Sequence, residues 1–464
     1  MATLNKSDVF ASLPKPPEGS LRSQIREALG CSRAKLVVLD DDPTGTQTVY
    51  DVPVLTEWSV AALRREFEND LDCFYILTNS RSLARDDAAA MNREIAQHLQ
   101  EAAEGRPFHV VSRSDSTLRG HFPLETDVLN EVLGPYDGIL LVPYFEAGGR
   151  YTIGDVHYVA EGKQLVPAGE TPFALDATFG YRHSNLKSWV EEKTGATISA
   201  SEVHSISIEC IRREGFDGIE ARLKELQGGA VCIINAAAPS DLDPVMLALG
   251  RVEAAGKRFL FRTGAQFVSA RLGLEDRPLW RPERAESALG GLVVVGSHVP
   301  KSTQQLEHLL ADGNLEAEIL DVKELLDAGE SLIAAKVTKV SELISSGRDV
   351  VVYTSRELVL GADPEASLAV SRQVSEALVS IVQRLTVSPG FLIAKGGITS
   401  SDVATRGLGI KRARVLGALL PGVPVWETAG ETRFPEIPYV VFPGNVGGTE
   451  SLLDAVRLFQ DCRA

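Results

Sequence analysis

The chain has 464 residues, of which 44% are hydrophobic and 24% are charged, and its formal net charge is −16. This composition is typical of a globular protein, and the length exceeds the size at which one hydrophobic core stops growing, so we expect two or three domains. Lysine and arginine are spread singly, whereas nucleic-acid binders usually carry a basic stripe because phosphate contacts supply most of their affinity. We therefore expect no nucleic-acid partner.

The cysteines and histidines show no pattern of a disulfide framework or a zinc site. The five cysteines are scattered and never spaced as C-x-x-C, and the eight histidines lack ligand spacing. Such cysteine usage favours a reducing compartment. The first residues carry no apolar signal-peptide core, and no later stretch approaches the roughly 18 apolar residues of a membrane span. The sequence predicts a cytoplasmic protein without a membrane partner.

In chain order, residues 1–30 are predicted to form a polar arm and then a short helix that ends at Gly30, since glycine commonly terminates helices. Apolar runs then alternate with amphipathic segments, which is the pattern of parallel strands connected by helices. The predicted strands of this half are KLVVLD, CFYILTN, FHVVSRS, GILLVPY, AVCIINA and RFLFRTG.

The stretch EDRPLWRPERAESALGG, with two prolines and several charges, indicates a linker or hinge over residues 276–290. A second set of strands follows it: GLVVVGS, AEILDV, DVVVYTS, GFLIAKGG and YVVFPGN. The sequence thus predicts an α/β fold with two domains, 31–275 and 291–464, each with a largely parallel sheet flanked by helices. We expect the active site in the cleft between these domains.

The run KLVVLDDDPTGTQT places Asp40, Asp41 and Asp42 at the end of a buried strand, where open α/β sheets bind ligands. Adjacent carboxylates repel one another, so the run needs a cation, a donor-rich ligand or full solvation. One alternative is an Asp-rich turn. Another is the nucleophile loop of a haloacid-dehalogenase-type phosphatase, with Asp40 attacking phosphorus. Such phosphatases also need an acidic G-D-x-x-x-D loop, and the candidate GDVHYV lacks the second aspartate.

Three further loops of the first half follow apolar strands and are rich in arginine, aspartate and hydroxyl groups. TNSRSL, SRSDSTLRGHFPLE and GGRYTIGD together offer what a small polyhydroxy acid requires, namely arginine for its carboxylate and acceptors for its hydroxyls. The alternatives are helix capping, a solvated Asp–Arg pair and a glycine turn. The candidate substrate-binding residues are Thr44, Arg81, Asp115, Ser116, Thr117, Arg119 and Arg150.

Three glycine-bearing turns in the second half each join a strand to a helix, and their free backbone amides favour a phosphate or nucleotide site. None matches the Walker or dinucleotide fingerprint, and each alone is explained equally well by turn formation. For Lys395, a buried structural lysine and a phosphate ligand both stay open. The candidate nucleotide-binding residues are Gly296, Ser297, Gly396, Gly397, Ile398, Thr399, Gly444, Asn445 and Gly447.

The segments DDPTGTQT, SRSDSTLRG, GGRYTIGD, GSHVPKSTQQ, KGGITSSDVATRGLGI and FPGNVGG, in that order, resemble the four-carbon acid sugar kinase family. The resemblance covers nearly the whole chain. It implies an N-terminal acid-sugar domain, a C-terminal ATP domain, and phosphorylation of a terminal hydroxyl on erythronate, threonate or 3-oxo-tetronate. The family patterns fall on Asp41, Asp42, Thr44 and Gly45, on 115–120, on Gly296 and Ser297, on 396–399 and on 444–447. Arg113 stands where a lysine is common in the family, and Ile398 where a glutamate is common.

From these residues we expect an ATP-dependent kinase in which Asp42, or Asp41 beside it, orients and deprotonates the attacking hydroxyl. Mg²⁺ would bridge the ATP phosphates, and no protein ligand for it is predicted. The expected partners are a sugar acid and ATP, and a homodimer is considered. Two alternatives remain: the phosphatase that uses Asp40, and a non-catalytic sensor that binds both ligands without turnover.

Overall fold

The structure, a computed structural model, describes residues 3–32, 34–283, 289–357, 359 and 364–463. The chain forms two compact units. One comprises Met1–Val49 and Glu57–Arg277, and the other comprises Tyr50–Thr56 and Pro278–Ala464. Residues 1–2 of the predicted arm and 284–288 of the predicted linker lie outside the described residues.

The strands and helices alternate along most of the chain. The strands are β1 (Leu4–Asn5), β2 (Lys35–Asp40), β3 (Pro53–Leu55), β4 (Cys73–Leu77), β5 (Phe108–Arg113), β6 (Gly138–Val142), β7 (Arg150–Ile153), β8 (Val156–Glu161), β9 (Gln164–Pro167), β10 (His204–Ile206), β11 (Ala230–Ile234), β12 (Phe259–Thr263), β13 (Leu292–Val295), β14 (Glu316–Leu320), β15 (Val350–Thr354), β16 (Leu392–Lys395), β17 (Arg412–Leu420), β18 (Val423–Thr428) and β19 (Pro438–Phe442). The helices are α1 (Lys6–Ser12), α2 (Arg22–Ser32), α3 (Val60–Glu68), α4 (Arg85–Ala103), α5 (Leu124–Leu133), α6 (Leu186–Lys193), α7 (Gly215–Glu225), α8 (Leu242–Ala254), α9 (Ala265–Arg271), α10 (Pro300–Asp312), α11 (Val322–Ala328), α12 (Glu330–Ser345), α13 (Pro364–Arg384), α14 (Gly397–Asp402) and α15 (Ser451–Gln460).

The main sheet of the first unit is parallel, with the strand order β10-β11-β6-β12-β5-β2-β4. Strand β2 lies inside this sheet, and all its residues from Leu36 to Asp40 are buried. Successive side chains of a strand point to opposite faces of the sheet, so a strand whose residues are all buried is covered on both faces. Such a strand appears in the sequence as a continuous apolar run. In register, Asp40 lies opposite Arg113 of β5 and Leu77 of β4, so the loops after these three strands begin at one edge.

A small antiparallel sheet, β1-β9-β8-β7, also belongs to the first unit and was not predicted. Its strands have two to six residues, too few for the apolar periodicity on which the strand predictions depend. Arg150 opens β7 and faces Val159 of β8. This sheet therefore places the GGRYTIGD segment.

The predicted end of the first helix at Gly30 is wrong, because α2 continues to Ser32. Gly30 does not adopt the left-handed backbone conformation that a glycine cap uses. A glycine inside a helix costs about 1 kcal/mol relative to alanine, and the packing of α2 against α8 offsets that cost. The arm before it also holds regular structure, since Asn5 caps α1 through bonds to the amides of Ser7 and Asp8.

The sheet of the second unit runs β3-β17-β18-β19-β16-β13-β15-β14. The pairs from β19 to β14 are parallel, and the pairs from β3 to β19 are antiparallel. Strand β3 explains why Tyr50–Thr56 groups with this unit, since Pro53 pairs with Arg414 and Leu55 with Arg412. The sequence pattern predicts only one domain boundary, near 275–290. The second crossing of the chain, at β3, is not predicted because a three-residue strand gives no signal of its long-range partner.

The predicted α/β fold with two units and largely parallel sheets is confirmed. The core of the second unit includes residues of the predicted strands, such as Val293, Val351 and Ile393, and residues of β17 and β18, such as Leu419 and Val425, which were not predicted. In the described part of the chain, none of the helices combines the length and the apolar character required to cross a bilayer.

Candidate functional site

The aspartate run at the carboxyl end of β2 is neutralised by two arginines of the protein itself. Arg113 Nη1 lies 2.9 Å from Asp40 Oδ1 and 3.4 Å from Asp41 Oδ1. Arg81 Nη2 donates to Asp42, and its Nη1 lies 4.0 Å from Asp41 Oδ1. The cation that three adjacent carboxylates require is therefore built into the neighbouring strand ends.

The three aspartates differ in their titration. Burial raises the pKa of Asp40 to about 7 and that of Asp41 to about 6, although arginines partly oppose the shift. Burial also acts on Asp42, but Arg81, Arg113 and the hydrogen bonds from Thr44 outweigh it and hold the pKa of Asp42 below its usual value. Asp42 is thus the member of the run that is ionised throughout the neutral range.

The fold of the DPTGT turn explains how Asp42 is held. Asp42 Oδ1 accepts from the Thr44 amide at 2.9 Å and from the Thr44 hydroxyl at 2.5 Å. Gly45 packs directly on Asp40, where a Cβ atom would overlap the carboxylate. Asp40 is 1% exposed and bonded to Arg113, so the nucleophile that the phosphatase hypothesis requires is enclosed.

The second predicted loop meets the first through Asp115. Arg119 Nε donates to Asp115 Oδ2 at 2.6 Å, Thr117 donates to the same oxygen, and Arg81 Nη1 lies 3.8 Å from Asp115 Oδ1. Burial of Asp115 is outweighed by Arg119, Arg81 and these hydrogen bonds, which hold its pKa far below the usual value. Arg81 therefore connects the aspartate run to the DSTLRG loop.

Two side chains hold the backbone of the DSTLRG loop. One comes from the small sheet, and the other comes from the segment that follows it. His157 Nε2 lies 2.8 Å from the Ser116 carbonyl, and the Tyr181 hydroxyl donates to the Thr117 carbonyl at 2.8 Å. Burial lowers the pKa of His157 to about 4, so this imidazole is neutral at pH 7. Ser116 itself is half-buried in the loop.

Arg119 and Arg150 lie against the ring of Phe173, at 5.2 and 5.4 Å from its centroid. Arg119 also faces Asp176 at 3.6 Å. Arg150 differs, because in the described part of the chain it forms no ion pair and its buried Nε has no hydrogen-bond partner. Burial lowers the pKa of Arg150, with Asp115 only partly opposing. Arg150 is the cation of this group that lacks a carboxylate partner.

A buried ion pair supports the loop from behind. Arg262 Nη1 donates to Glu125 and, at 2.7 Å, to the Ser112 hydroxyl. Arg262 Nη2 also crowds Gly120, where a Cβ atom would lie 2.8 Å from it. Gly120 has a φ of +123°, so both its conformation and this close approach require glycine.

In the second unit, the three predicted glycine turns converge at the carboxyl ends of the adjacent strands β13, β16 and β19. A Cβ atom at Gly296 would lie 2.5 Å from Thr399 Oγ1, and one at Gly396 would lie 2.9 Å from Ser297 Cβ. A Cβ atom at Gly444 would lie 3.5 Å from Ser297 Oγ. Backbone approaches of this kind leave amides close together, as a phosphate site requires.

Helix α10 and Lys395 hold these turns in place. Ser302 Oγ lies 3.0 Å from Ser297 Oγ and 3.2 Å from the Gly444 carbonyl, within hydrogen-bonding distance of both. Lys395 Nζ donates to the Pro443 carbonyl at 2.5 Å and to the Gly444 carbonyl at 3.3 Å. Lys395 is 0% exposed, and burial lowers its pKa to about 7.

Other predicted residues of this unit lie further from that convergence. Asn445 and Gly447 are exposed, and Ile398 is 64% exposed. Helix α14 begins at Gly397, and its N-cap residue is Gly396, which forms no side-chain capping bond. A glycine N-cap leaves the first amides without a side-chain partner, which keeps them available to a ligand.

Several residues of both sites were not predicted as site residues from sequence: Phe173, Asp176, Tyr181, Arg262 and Arg356. Each acts through a contact with a residue far away in the chain, and local patterns carry no signal of such contacts. As to metals, the residues that the structure describes include no group of three His, Cys, Asp or Glu placed to hold one.

Comparison with known proteins agrees with this geometry. The model of the Sugar-binding N-terminal domain matches residues 36–271, and that of the Nucleotide-binding C-terminal domain matches 292–452. A 3-oxo-tetronate kinase of Pseudomonas fluorescens is 26% identical over 88% of this chain and 90% of its own length. A D-erythronate kinase of Heliobacterium modesticaldum is 26% identical over 46% of this chain, which spans 47% of that relative's length.

Solved structures support the fold. A Haemophilus influenzae protein has a TM-score of 0.64 at 19% identity and covers 91% of this chain and 100% of its own. A Salmonella typhimurium LT2 protein has a TM-score of 0.68 at 16% identity and covers 92% of this chain and 99% of its own.

Fold and matches together define a protein with a sugar-binding N-terminal domain and a nucleotide-binding C-terminal domain. The chain belongs to the four-carbon acid sugar kinase family, a family of phosphotransferases.

Proposed function

We propose that the protein transfers the terminal phosphoryl group of ATP to the terminal hydroxyl of a four-carbon sugar acid. The observation that carries the proposal is Arg150, a half-buried cation that has no carboxylate partner among the described residues and lies beside the paired aspartates Asp42 and Asp115. A small acid that carries both a carboxylate and hydroxyls satisfies this arrangement. The two kinase relatives act on such acids by their names.

The acid would be bound by residues of the first unit. Arg150 would receive the carboxylate in a bidentate pair, and Phe173 would shield that pair from water. Asp115 Oδ2 is already occupied by Arg119 and Thr117. Among the described residues, the contact of Oδ1 is with Arg81 at 3.8 Å, so Oδ1 can accept from a substrate hydroxyl.

Asp42 is the better placed of the two candidate bases. Its side chain is 13% exposed, against 2% for Asp41, and its pKa is lowered while that of Asp41 is raised. In the transfer, the substrate hydroxyl oxygen bonds to the γ-phosphorus, the bond to the β–γ bridging oxygen breaks, and ADP leaves. The hydroxyl proton passes to Asp42. Because the transition state is loose, a weakly basic carboxylate that orients the hydroxyl suffices.

ATP would be bound by the second unit, with its phosphates on the amides of the converging turns at Gly296, Gly396 and Gly444. Mg²⁺ would neutralise the phosphates and would arrive with the nucleotide, which fits the acceptor-poor, donor-rich character of these turns. That both ligands meet in a cleft between the domains, that a homodimer forms and that the protein is cytoplasmic stay predictions.

The test is ADP formation from Mg-ATP with a panel of erythronate, threonate and 3-oxo-tetronate stereoisomers. We expect ADP formation with at least one of them and thermal stabilisation by the same acid, because a ligand that binds only the folded state stabilises it. Binding without ADP formation across the panel would support the sensor instead. Phosphate release from sugar phosphates without nucleotide would support the phosphatase.

A further inference from the structure

Positive charge surrounds the turn at Gly296 and Ser297 without the acidic partners found elsewhere in the chain. Lys301 lies in the first turn of α10, Arg356 follows β15, and Lys395 ends β16, and both strands pair directly with β13. In the ranges that the structure describes, these three cations form no ion pair. In a chain of net charge −16, such a local excess indicates a place for an anion.

Arg356 is the member of this group whose contacts are most informative. Its Nη1 donates to the Ser297 carbonyl at 2.7 Å, and its Nε and Nη2 donate to the Thr354 carbonyl at 3.0 and 2.8 Å. Nη2 also donates to Thr354 Oγ1 at 2.5 Å. Every one of these acceptors is neutral, so they fix the guanidinium in space without compensating its charge.

The hydrogen-bond inventory of Arg356 leaves room for one more acceptor. A guanidinium has five N–H donors, and the bonds to Ser297 and Thr354 occupy four of them. The remaining hydrogen is on Nη1, the nitrogen that reaches the Gly296–Ser297 turn. Burial also lowers the pKa of Arg356, and Tyr353 opposes that effect only in part. An arginine fixed and partly desolvated in this way is well suited to a phosphate oxygen.

We propose that Arg356 binds the phosphate chain of the nucleotide directly. The inference rests on the proposed function, since it assumes that the second unit binds ATP. Arg356 would act with the backbone amides of the turns, and it would also hold the Ser297 carbonyl so that the Gly296–Ser297 turn keeps its shape.

The competing explanation is that Arg356 only holds the Gly296–Ser297 turn in shape, which we call the clamp role. The two roles differ in the part of the nucleotide whose binding they affect. A charge on Arg356 is felt only by ligands that carry phosphates. A turn that loses its shape would weaken the binding of every ligand that contacts the turn, including a nucleoside. Adenosine and ATP therefore separate the two roles.

The experiment is calorimetric titration of the full-length protein, R356Q and R356K with ATP and with adenosine. The matched control is R348Q, which removes an exposed arginine before β15, at the opposite end of that strand. Within the described residues, its ion pair is with the half-buried Glu316. We expect R356Q to weaken ATP binding at least ~10-fold, because a charge-assisted bond is lost. Adenosine binding should change less than about 2-fold, and R348Q should bind both ligands normally.

Equal weakening of ATP and adenosine binding in R356Q would assign Arg356 to the clamp alone, and unchanged ATP binding would remove it from the site. R356K keeps the charge but lacks the planar fork, so it should bind ATP more tightly than R356Q does. If R356Q does not fold, R356M, which also removes the charge but keeps a long unbranched side chain, is titrated in its place and judged by the same outcomes. Failure of the unaltered protein to bind ATP would refute the proposed function itself, which is a different outcome from normal ATP binding in R356Q.

Discussion

Arg81 and Asp42 form an ion pair that joins two loops 39 residues apart in the chain. The same guanidinium lies 3.8 Å from Asp115 and 4.0 Å from Asp41, so one arginine connects the aspartate run to the DSTLRG loop. Strands β2 and β4 are parallel neighbours, so the loops at their carboxyl ends lie together. The candidate acid-binding site depends on this connection.

Replacement of Asp42 by asparagine should lower turnover at least ~100-fold, because a general base contributes about that much. ATP affinity should not change, since Asp42 belongs to the first unit and the proposed ATP residues belong to the second. Steady-state kinetics with calorimetric ATP binding provides the measurement. Near-normal turnover in D42N would remove Asp42 from the role of base.

Replacement of Arg150 by methionine should raise KM for the sugar acid at least ~10-fold, because the cation without a carboxylate partner is lost. The matched control is R182Q, since Arg182 is 86% exposed and pairs with Glu192 in the same unit. An R150M enzyme with the KM of the unaltered protein would show that the acid's carboxylate binds elsewhere.

Replacement of Gly45 by alanine should destabilise the first unit and abolish activity, because the added methyl would overlap the Asp40 carboxylate. Gly250 offers the control: it lies inside α8 with open space around its Cα, so G250A should leave the melting temperature unchanged or raise it. Differential scanning calorimetry makes the comparison. Equal melting temperatures for G45A and the unaltered protein would contradict the packing described above.

Asp40 should make the stability of the protein fall as the pH rises. Its pKa is raised by burial from its ordinary value to about 7 in the folded state, so between roughly pH 4 and 7 the folded chain binds the proton more tightly than the unfolded chain. The contribution of Asp40 to folding stability is therefore greatest below about pH 4 and declines between roughly pH 4 and 7. The urea midpoint of D40N, measured from pH 4 to 8, should lack this part of the decline. Identical pH profiles for D40N and the unaltered protein would refute the assignment.

The sequence by itself determined most strands of the parallel parts of both sheets, because a strand buried on both faces must be apolar along its length and that pattern is local. It did not predict the short strands β3 and β10 or the antiparallel pair β17 and β18. It also placed the aspartate run, the DSTLRG loop and the three glycine turns at strand ends. The order of these segments was sufficient to indicate the family.

Tertiary structure alone decided which charges compensate one another. Arg113 neutralises Asp40, Phe173 contacts Arg119 and Arg150, and Arg356 reaches Ser297, although each pair is separated by tens of residues. Strand β3 belongs to the second unit for the same reason, since its partner β17 lies more than three hundred residues further on. A sequence pattern reports the local preference of the backbone and the burial of a segment. The partner of a charge or of a strand is fixed only by the packed fold, in which burial makes an uncompensated group costly.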